Sequence, residues 1–314
     1  MSSASLAFVF PGQGSQSPGM LADLAGRDPI IRATFDEASE GAGTDLWALA
    51  SGEGPEGMLD RTEYTQPVLL AGGIAVWRLW RERQGAMPSV LAGHSLGEYT
   101  ALVAAGALSL RDGAHLVRLR GQLMQDAAPA GVGAMAAVIG AEEDMLREVC
   151  VQASESQSVV LANFNAPGQI VIGGDAAAVD RALALLSERG VRKAVKLAVS
   201  VPSHTPLMRE AANRLSDAIS GIEWNEPKIP VVQNVDAAIH TRVEAIQDAL
   251  VRQLYLPVQW IGCVQALIAQ GASKVGECGP GKVLTGLVKR IDKSLDARPL
   301  GSLADFDSAL EAWK

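Results

Sequence analysis

Residues 88–108 read PSVLAGHSLGEYTALVAAGAL, and the fold turns on how this stretch is read. "PSVLAGHS" carries a short continuous apolar run, the pattern of a strand buried on both faces of a parallel sheet. "GEYTALVAAGAL" is helical in character. Between them lies Gly93-His94-Ser95-Leu96-Gly97. Strand, G-x-S-x-G and helix in immediate succession is the setting of a nucleophile elbow, a strained turn that exposes a serine hydroxyl at the carboxyl end of a strand. The two glycines leave room for close backbone approach. The following helix directs its N-terminal N–H groups and partial positive charge at the site. The same pentapeptide also occurs as a plain glycine turn with a helix-capping serine; the flanking strand and helix favour the elbow.

The same rhythm extends in both directions. "LAFVF" (6–10) is a second buried strand, closed by "PGQG". "TQPVLLAGGIAVWRLWRERQG" (65–85) has helical apolar spacing, with Pro67 suited to a first helical turn. "SLRDGAHLVRLRGQLMQDA" (109–127) is helical behind a serine cap at Ser109. Strands alternating with helices predict an α/β core around a mostly parallel sheet. Near residue 128 the rhythm changes. Strands are expected at "GAMAAVIG" (133–140), "SVVLANFNA" (158–166), "QIVIGGD" (169–175) and "RKAVKLAVSV" (192–201). Helices are expected at "AEEDMLREVCVQA" (141–153) and "AAAVDRALALLSERG" (176–190). That β-α-β-β-α-β order is the ferredoxin-like split unit. The expected organisation is one large domain over 1–127 and 200–314, with a small domain over 128–199 inserted in it. After residue 205, helices are expected at 206–220 and 244–256, with helical character continuing over 264–271. A strand is expected at 229–235, a strand and glycine loop at 274–284, and a surface helix at 305–314.

A chain of 314 residues, nearly half of them apolar, can bury a sizeable core. The net charge of −8 argues against a general nucleic-acid binder, which needs a basic surface to neutralise phosphates. "MSSASLAFVFPGQG" lacks a basic leading segment and reads as a buried strand rather than a signal peptide. No stretch approaches a membrane span free of charge. Cys150, Cys263 and Cys278 are odd in number and lack metal-ligand spacing, so free buried thiols in a reducing cytoplasm are expected.

A serine nucleophile needs a base, usually histidine. His94 adjoins Ser95 in a tight turn, so its ring should point elsewhere. His115 lies in a helix close to its apolar face, as a structural histidine does. His240 lies in a polar loop. His204 follows a strand and the punctuation "PSH", where the small domain rejoins the core, and is the strongest candidate, although no catalytic histidine at all remains an alternative. Two oxyanion donors are expected, the N–H groups of Leu96 and of Gln13 in "FPGQGSQSPGM". A phosphate-binding reading of that loop fails, because it lacks Gly-Lys-Ser/Thr and has Ser17 in the third glycine position of G-x-G-x-x-G. Arg120 shares a helical face with Leu116, Leu123 and Met124, and Arg118 lies off it. An arginine in an apolar stripe needs a partner. It can pair with an internal carboxylate, reach out to water, or hold a substrate carboxylate in its two-pronged guanidinium.

With these residues in place, the chain resembles the malonyl-CoA:acyl-carrier-protein transacylases of bacterial fatty acid synthesis. The resemblance runs through nearly the whole length. It rests on "FVFPGQGSQ", "TEYTQP", "GHSLGEYTAL", "LRGQLMQ", "GAMAAV", "NFNAPGQIVI", "VPSH", "VRQLYLPVQW" and "GPGKVLTGL". It implies an α/β-hydrolase-like core with a ferredoxin-like insert. It also implies Ser95 as the malonylated nucleophile, His204 as base and then acid, and Arg120 on the malonyl carboxylate. Gln13 and Leu96 would supply the oxyanion N–H groups. The backbone carbonyl of Gln253 would orient the histidine in place of an acidic third member, and Gln66, Met124 and Asn165 would add contacts. In related polyketide enzymes the four residues ending at the histidine often report the acyl group. Here Val201-Pro202-Ser203-His204 matches neither usual tag.

The implied reaction moves malonyl from malonyl-CoA to the phosphopantetheine thiol of acyl carrier protein by a ping-pong route, with no metal or bound cofactor, in a monomer. Acyl carrier protein is typically acidic, so a local basic patch is expected. One cluster is Arg189, Arg192, Lys193 and Lys196, and another is Lys282, Lys289, Arg290 and Lys293. A solvated mixed-charge face is the competing reading of both. Rival functions are a hydrolase that releases malonate, a transacylase that serves another carrier, and a scaffold without chemistry.

Overall fold

The apolar run at residues 6–10 forms β1 (Ser5–Phe10), and it takes the centre of a five-stranded sheet. The chain is described by a computed structural model over residues 5–129, 131–199 and 201–313. β1 pairs on one side with β2 (Val90–Gly93) and on the other with β8 (Ala272–Glu277). β7 (Val231–Val232) and β9 (Asp296–Pro299) form the edges. The order is β7-β2-β1-β8-β9 and every pairing is parallel. Successive β1 side chains face opposite sides, as the pleat requires. Phe8 and Phe10 enter one apolar layer, and Ala7 and Val9 the other.

Short helices α1 (Ala22–Ala25), α2 (Pro29–Ala42) and α3 (Leu46–Ser51) precede the long α4 (Thr62–Glu82). Pro67 lies well inside α4 and not in its first turn, a correction to the expectation. The extra turn has its own supports: the Thr65 hydroxyl donates to the Leu59 carbonyl, and Gly121 packs on the backbone of Thr62 and Glu63. α5 (Gly97–Ala104) and α6 (Leu110–Ala127) follow β2. Ser109 caps α6, accepting from the Asp112 N–H at 3.0 Å.

The middle of the chain forms a second, antiparallel sheet from β3 (Gly133–Ile139), β4 (Val159–Ala166), β5 (Gln169–Asp175) and β6 (Lys193–Lys196). Its order is β4-β5-β3-β6, with α7 (Glu143–Ser154) and α8 (Ala176–Glu188) packed on it. The β-α-β-β-α-β expectation therefore holds. β6 is shorter than expected, and Ser200 at the end of that expected strand lies outside the described residues, as do residues 1–4, Ala130 and Lys314.

The chain returns to the core through α9 (Arg209–Ser220), α10 (Val243–Gln253), α11 (Trp260–Ala269), α12 (Val283–Ile291) and α13 (Leu303–Trp313). α10 and α11 are separate helices, because the segment between them ties the two sheets together. Val258 donates to the Ala162 carbonyl (3.0 Å) and accepts from Phe164 N–H (2.9 Å) on β4. α13 is no mere surface helix: Phe306 and Trp313 pack edge-on against Trp80 of α4. β9 was not foreseen in the sequence, and β7 is shorter than its expected run. His115 is exposed on α6, which corrects its expected structural role.

Candidate active site

β2 ends at Gly93, and the chain then turns sharply into α5. Ser95 adopts φ 53°, a left-handed conformation that costs a non-glycine residue energy. Three hydrogen bonds hold it. Ser95 N–H donates to Asn234 Oδ1 (2.7 Å), Asn234 Nδ2 donates to the Gly93 carbonyl (2.7 Å), and Gln253 Nε2 donates to the Ser95 carbonyl (2.9 Å). Both motif glycines are required by space. A Cβ on Gly97 would lie 2.0 Å from the Phe10 carbonyl oxygen, and one on Gly93 would lie 1.9 Å from the Gly97 backbone. The sequence therefore builds an elbow here and not a plain turn.

His204 arrives from the opposite side, where the second sheet rejoins the core. Its Nδ1 lies 2.6 Å from the Gln253 carbonyl oxygen, and its Nε2 lies 2.7 Å from Ser95 Oγ. A carbonyl only accepts, so Nδ1 carries the hydrogen and Nε2 offers its lone pair to the serine O–H. Burial, and then the neighbouring Arg120 charge, push the His204 pKa down to about 3. The imidazole is thus neutral and able to take the serine proton. His94 turns away, as expected: its Nε2 meets Asn165 Oδ1 at 2.8 Å and its ring packs on Trp260.

Arg120 is 1% exposed. Its Nη1 donates to Gln66 Oε1 (2.7 Å), and its Nη2 donates to Gln253 Oε1 (3.0 Å) and Ser95 Oγ (3.3 Å). Among the described residues it forms no ion pair with a carboxylate, which removes one of the expected alternatives. Burial removes the second, a head group reaching water. Burial lowers its pKa, but a guanidinium stays charged at any ordinary pH. A buried cation beside a nucleophile, hydrogen-bonded only to neutral groups, is a ready seat for an anionic group.

These groups line a cavity of about 160 Å³. Gln13, Gln66, Leu96, Met124 and Asn165 also line it, so every residue expected at the site is in or against the pocket. The PGQG loop reaches the elbow because Gly12 packs on the His94 carbonyl. Gln66 Nε2 contacts Met124 Sδ at 3.6 Å. The sequence reading missed Asn234, Glu98 and Asn163. Asn234 sat in a run read only as strand, and nothing local marks it.

The basic residues divide. Arg189 and Lys196 are paired with Glu148 and Asp180, and Arg290 donates to Gln169. Arg192, Lys193, Lys282, Lys289 and Lys293 form no ion pair among the described residues. Lys282 follows Gly281, which packs against Ser15 of the Gln13 loop. β6, carrying Lys193, leads into Leu197 and Val199 of the pocket wall. No group of three or more metal-binding side chains occurs among the described residues, and no helix there is long and apolar enough to cross a membrane.

A parallel sheet with an elbow serine bonded to a histidine places the chain in the class of α/β acyltransferases, and residues 7–303 match the family model described as acyl transferase domain. The malonyl CoA-acyl carrier protein transacylase of Escherichia coli strain K12 is 50% identical over 305 residues, covering 97% of this chain and 98% of that one. The crystal structure of malonyl-CoA:acyl carrier protein transacylase from Xanthomonas oryzae pv. oryzae is 73% identical, with a TM-score of 0.98, covering 100% of this chain and 99% of that one. A type II PKS acyl-carrier protein in complex with its malonyl-transacylase gives 49% identity and a TM-score of 0.96, covering 98% of this chain and 100% of that one. The chain belongs to the malonyl CoA-acyl carrier protein transacylase family.

Proposed function

We propose that this enzyme moves malonyl from malonyl-CoA to the phosphopantetheine thiol of acyl carrier protein through a malonyl ester on Ser95. The observation that carries the reading is the Ser95–His204–Gln253 carbonyl relay set beside a buried Arg120 with no carboxylate of its own. Ser95 Oγ attacks the thioester carbonyl while His204 Nε2 takes its proton. The oxyanion forms against the N–H groups of Leu96 and Gln13. Collapse breaks the C–S bond, and the departing CoA sulfur takes the proton from His204. The carrier thiol then gives its proton to His204 and attacks the ester, and Ser95 regains the proton as it leaves. One thioester replaces another, so the chemistry calls for no metal and no bound cofactor. Arg120 holds the free carboxylate throughout, with Gln66 fixing one arm of the guanidinium.

Residues 1–127 and 200–314 would act as the catalytic domain and 128–199 as the inserted one, whose β4 contributes Asn163 and Asn165 to the pocket. The carrier would dock over the pocket mouth, with Lys193 and Lys282, which form no ion pair among the described residues, as candidate contacts. Intact mass spectrometry tests the reading. The protein mixed with malonyl-CoA should gain one malonyl group, absent in Ser95→Ala, and should lose it to added carrier bearing phosphopantetheine. An adduct lost to water at the same rate without carrier would mean a hydrolase.

A further inference from the structure

Glu98 lies in the first turn of α5, and its side chain is fully buried. The reaction described above gives it no step. A buried acid without an ion pair is costly, so its hydrogen-bond partners explain its presence. Both belong to the site. Its Oε2 accepts from Gln253 Nε2 (2.9 Å) and from the Asn234 backbone N–H (2.9 Å).

The Gln253 amide is the centre of this network. Its Nε2 faces Glu98 and the Ser95 carbonyl, and its Oε1 faces Arg120 Nη2. An amide turned end for end has almost the same shape, so only its partners fix its orientation. A carboxylate oxygen and a carbonyl accept, and a guanidinium only donates. Turned over, Gln253 would set donor against donor at Arg120 and acceptor against acceptors on the other side. Arg120 forbids this on one side, and the Ser95 carbonyl and Glu98 forbid it on the other.

We propose that Glu98 is a positioning residue for acyl selection: it holds the Gln253 amide with its oxygen toward Arg120, and so aims the guanidinium at the carboxylate of the acyl group. The same Glu98 oxygen anchors Asn234, whose side chain grips Ser95 N–H and the Gly93 carbonyl. One buried acid therefore ties the selecting cation to the elbow. Burial raises the Glu98 pKa to about 7, and either protonation state leaves Oε2 able to accept. The inference rests on Arg120 holding the acyl carboxylate.

The test measures acylation of Ser95 from malonyl-CoA and from acetyl-CoA by intact mass over time, in wild type, E98Q, E98D and R120A, with folding checked by thermal melting. The quantity read is the ratio of the two rates. The E98Q carbonyl can accept the same two N–H groups, so its ratio should stay within about threefold of wild type. E98D keeps the charge but withdraws the acceptor by one methylene. Its ratio should fall about tenfold or more toward that of R120A, with a smaller loss on acetyl. Equal loss on both substrates in E98D is the mark of a merely structural residue and overturns the proposal. So does a ratio kept in E98D and lost in E98Q, which would make charge, and not acceptor placement, the cause. Should E98D not fold, E98A, which removes the acceptor altogether, takes its place, and a ratio kept in E98A overturns the proposal. R120A separates the two levels. If R120A loses malonyl and acetyl transfer equally, the carboxylate reading falls and takes this inference with it. If R120A collapses the ratio while E98D preserves it, only the role of Glu98 is refuted.

Discussion

Arg120 is where a single side chain decides the chemistry. Its charge is buried and its hydrogen bonds go to neutral groups, Gln66, Gln253 and Ser95. Arg120→Ala should cost malonyl transfer about 2–5 kcal/mol in kcat/KM, the range for breaking a desolvated charge pair. Acetyl transfer should suffer less, and steady-state rates with the two thioesters check this. Two buried titratable groups also shape stability. Folded His204 takes a proton only near pH 3, against 6.5 for the free imidazole. Its contribution is therefore complete above pH 6.5 and is lost as the pH falls toward 3. Folded Glu98 loses its proton at about 7, against 4.5 for a free carboxyl. Its contribution is complete below pH 4.5 and is lost as the pH rises through 7. Between 4.5 and 6.5 the two slopes oppose each other. Glu98→Gln removes one of them. Its unfolding free energy in urea should fall more steeply than that of wild type as pH drops from 6.5 to 4.5, by about 1.4 kcal/mol per pH unit. Parallel profiles would place the Glu98 titration elsewhere.

At the scale of elements, the elbow is a packing contact between β1, β2 and α5. A methyl on Gly97 meets the Phe10 carbonyl oxygen, which is backbone and cannot step aside. Gly97→Ala should destabilise by ~3 kcal/mol in urea unfolding and move Ser95 away from His204, abolishing the acyl adduct. Ser109→Ala removes only the cap of α6, a loss of about 1 kcal/mol with the site intact. The two sheets, their crossover helices and the elbow were legible because period and punctuation are local signals. Pro67 misled because a proline in the first helical turn is a statistical preference, and here contacts to Leu59 and Gly121 support an earlier start. β7 and β9 were short or unseen, because edge strands of two and four residues carry almost no periodicity.

For the whole molecule, net charge and docking pull in opposite directions. An acidic enzyme must offer an acidic carrier a local cationic surface, and ion pairs already neutralise Arg189 and Lys196 of the first expected cluster. Lys193 and Lys282 form no ion pair among the described residues, and they are the residues proposed to meet the carrier. Charge reversal at either, Lys193→Glu or Lys282→Glu, should raise the KM for carrier about three- to tenfold and flatten its salt dependence. An unchanged KM at both would move the docking face elsewhere.

Spacing along the chain marks the alternating core, the split insert and the elbow serine, and it offers Gln13, Arg120 and His204 as candidates around that serine. The marks are strand then glycine turn, helical stripe, and loop after strand. What those residues do to one another follows only from the folded arrangement. Ser95 and His204 are 109 positions apart, and Gln253 and Ser95 are 158 apart. No local pattern encodes a hydrogen bond across such a distance. Which tautomer His204 holds, whether Arg120 has a carboxylate partner, and why Asn234 and Glu98 are polar in a buried place all depend on which strands close the sheet. Those facts exist only once the chain has folded, because burial makes each unpaired polar group costly and so selects its partner.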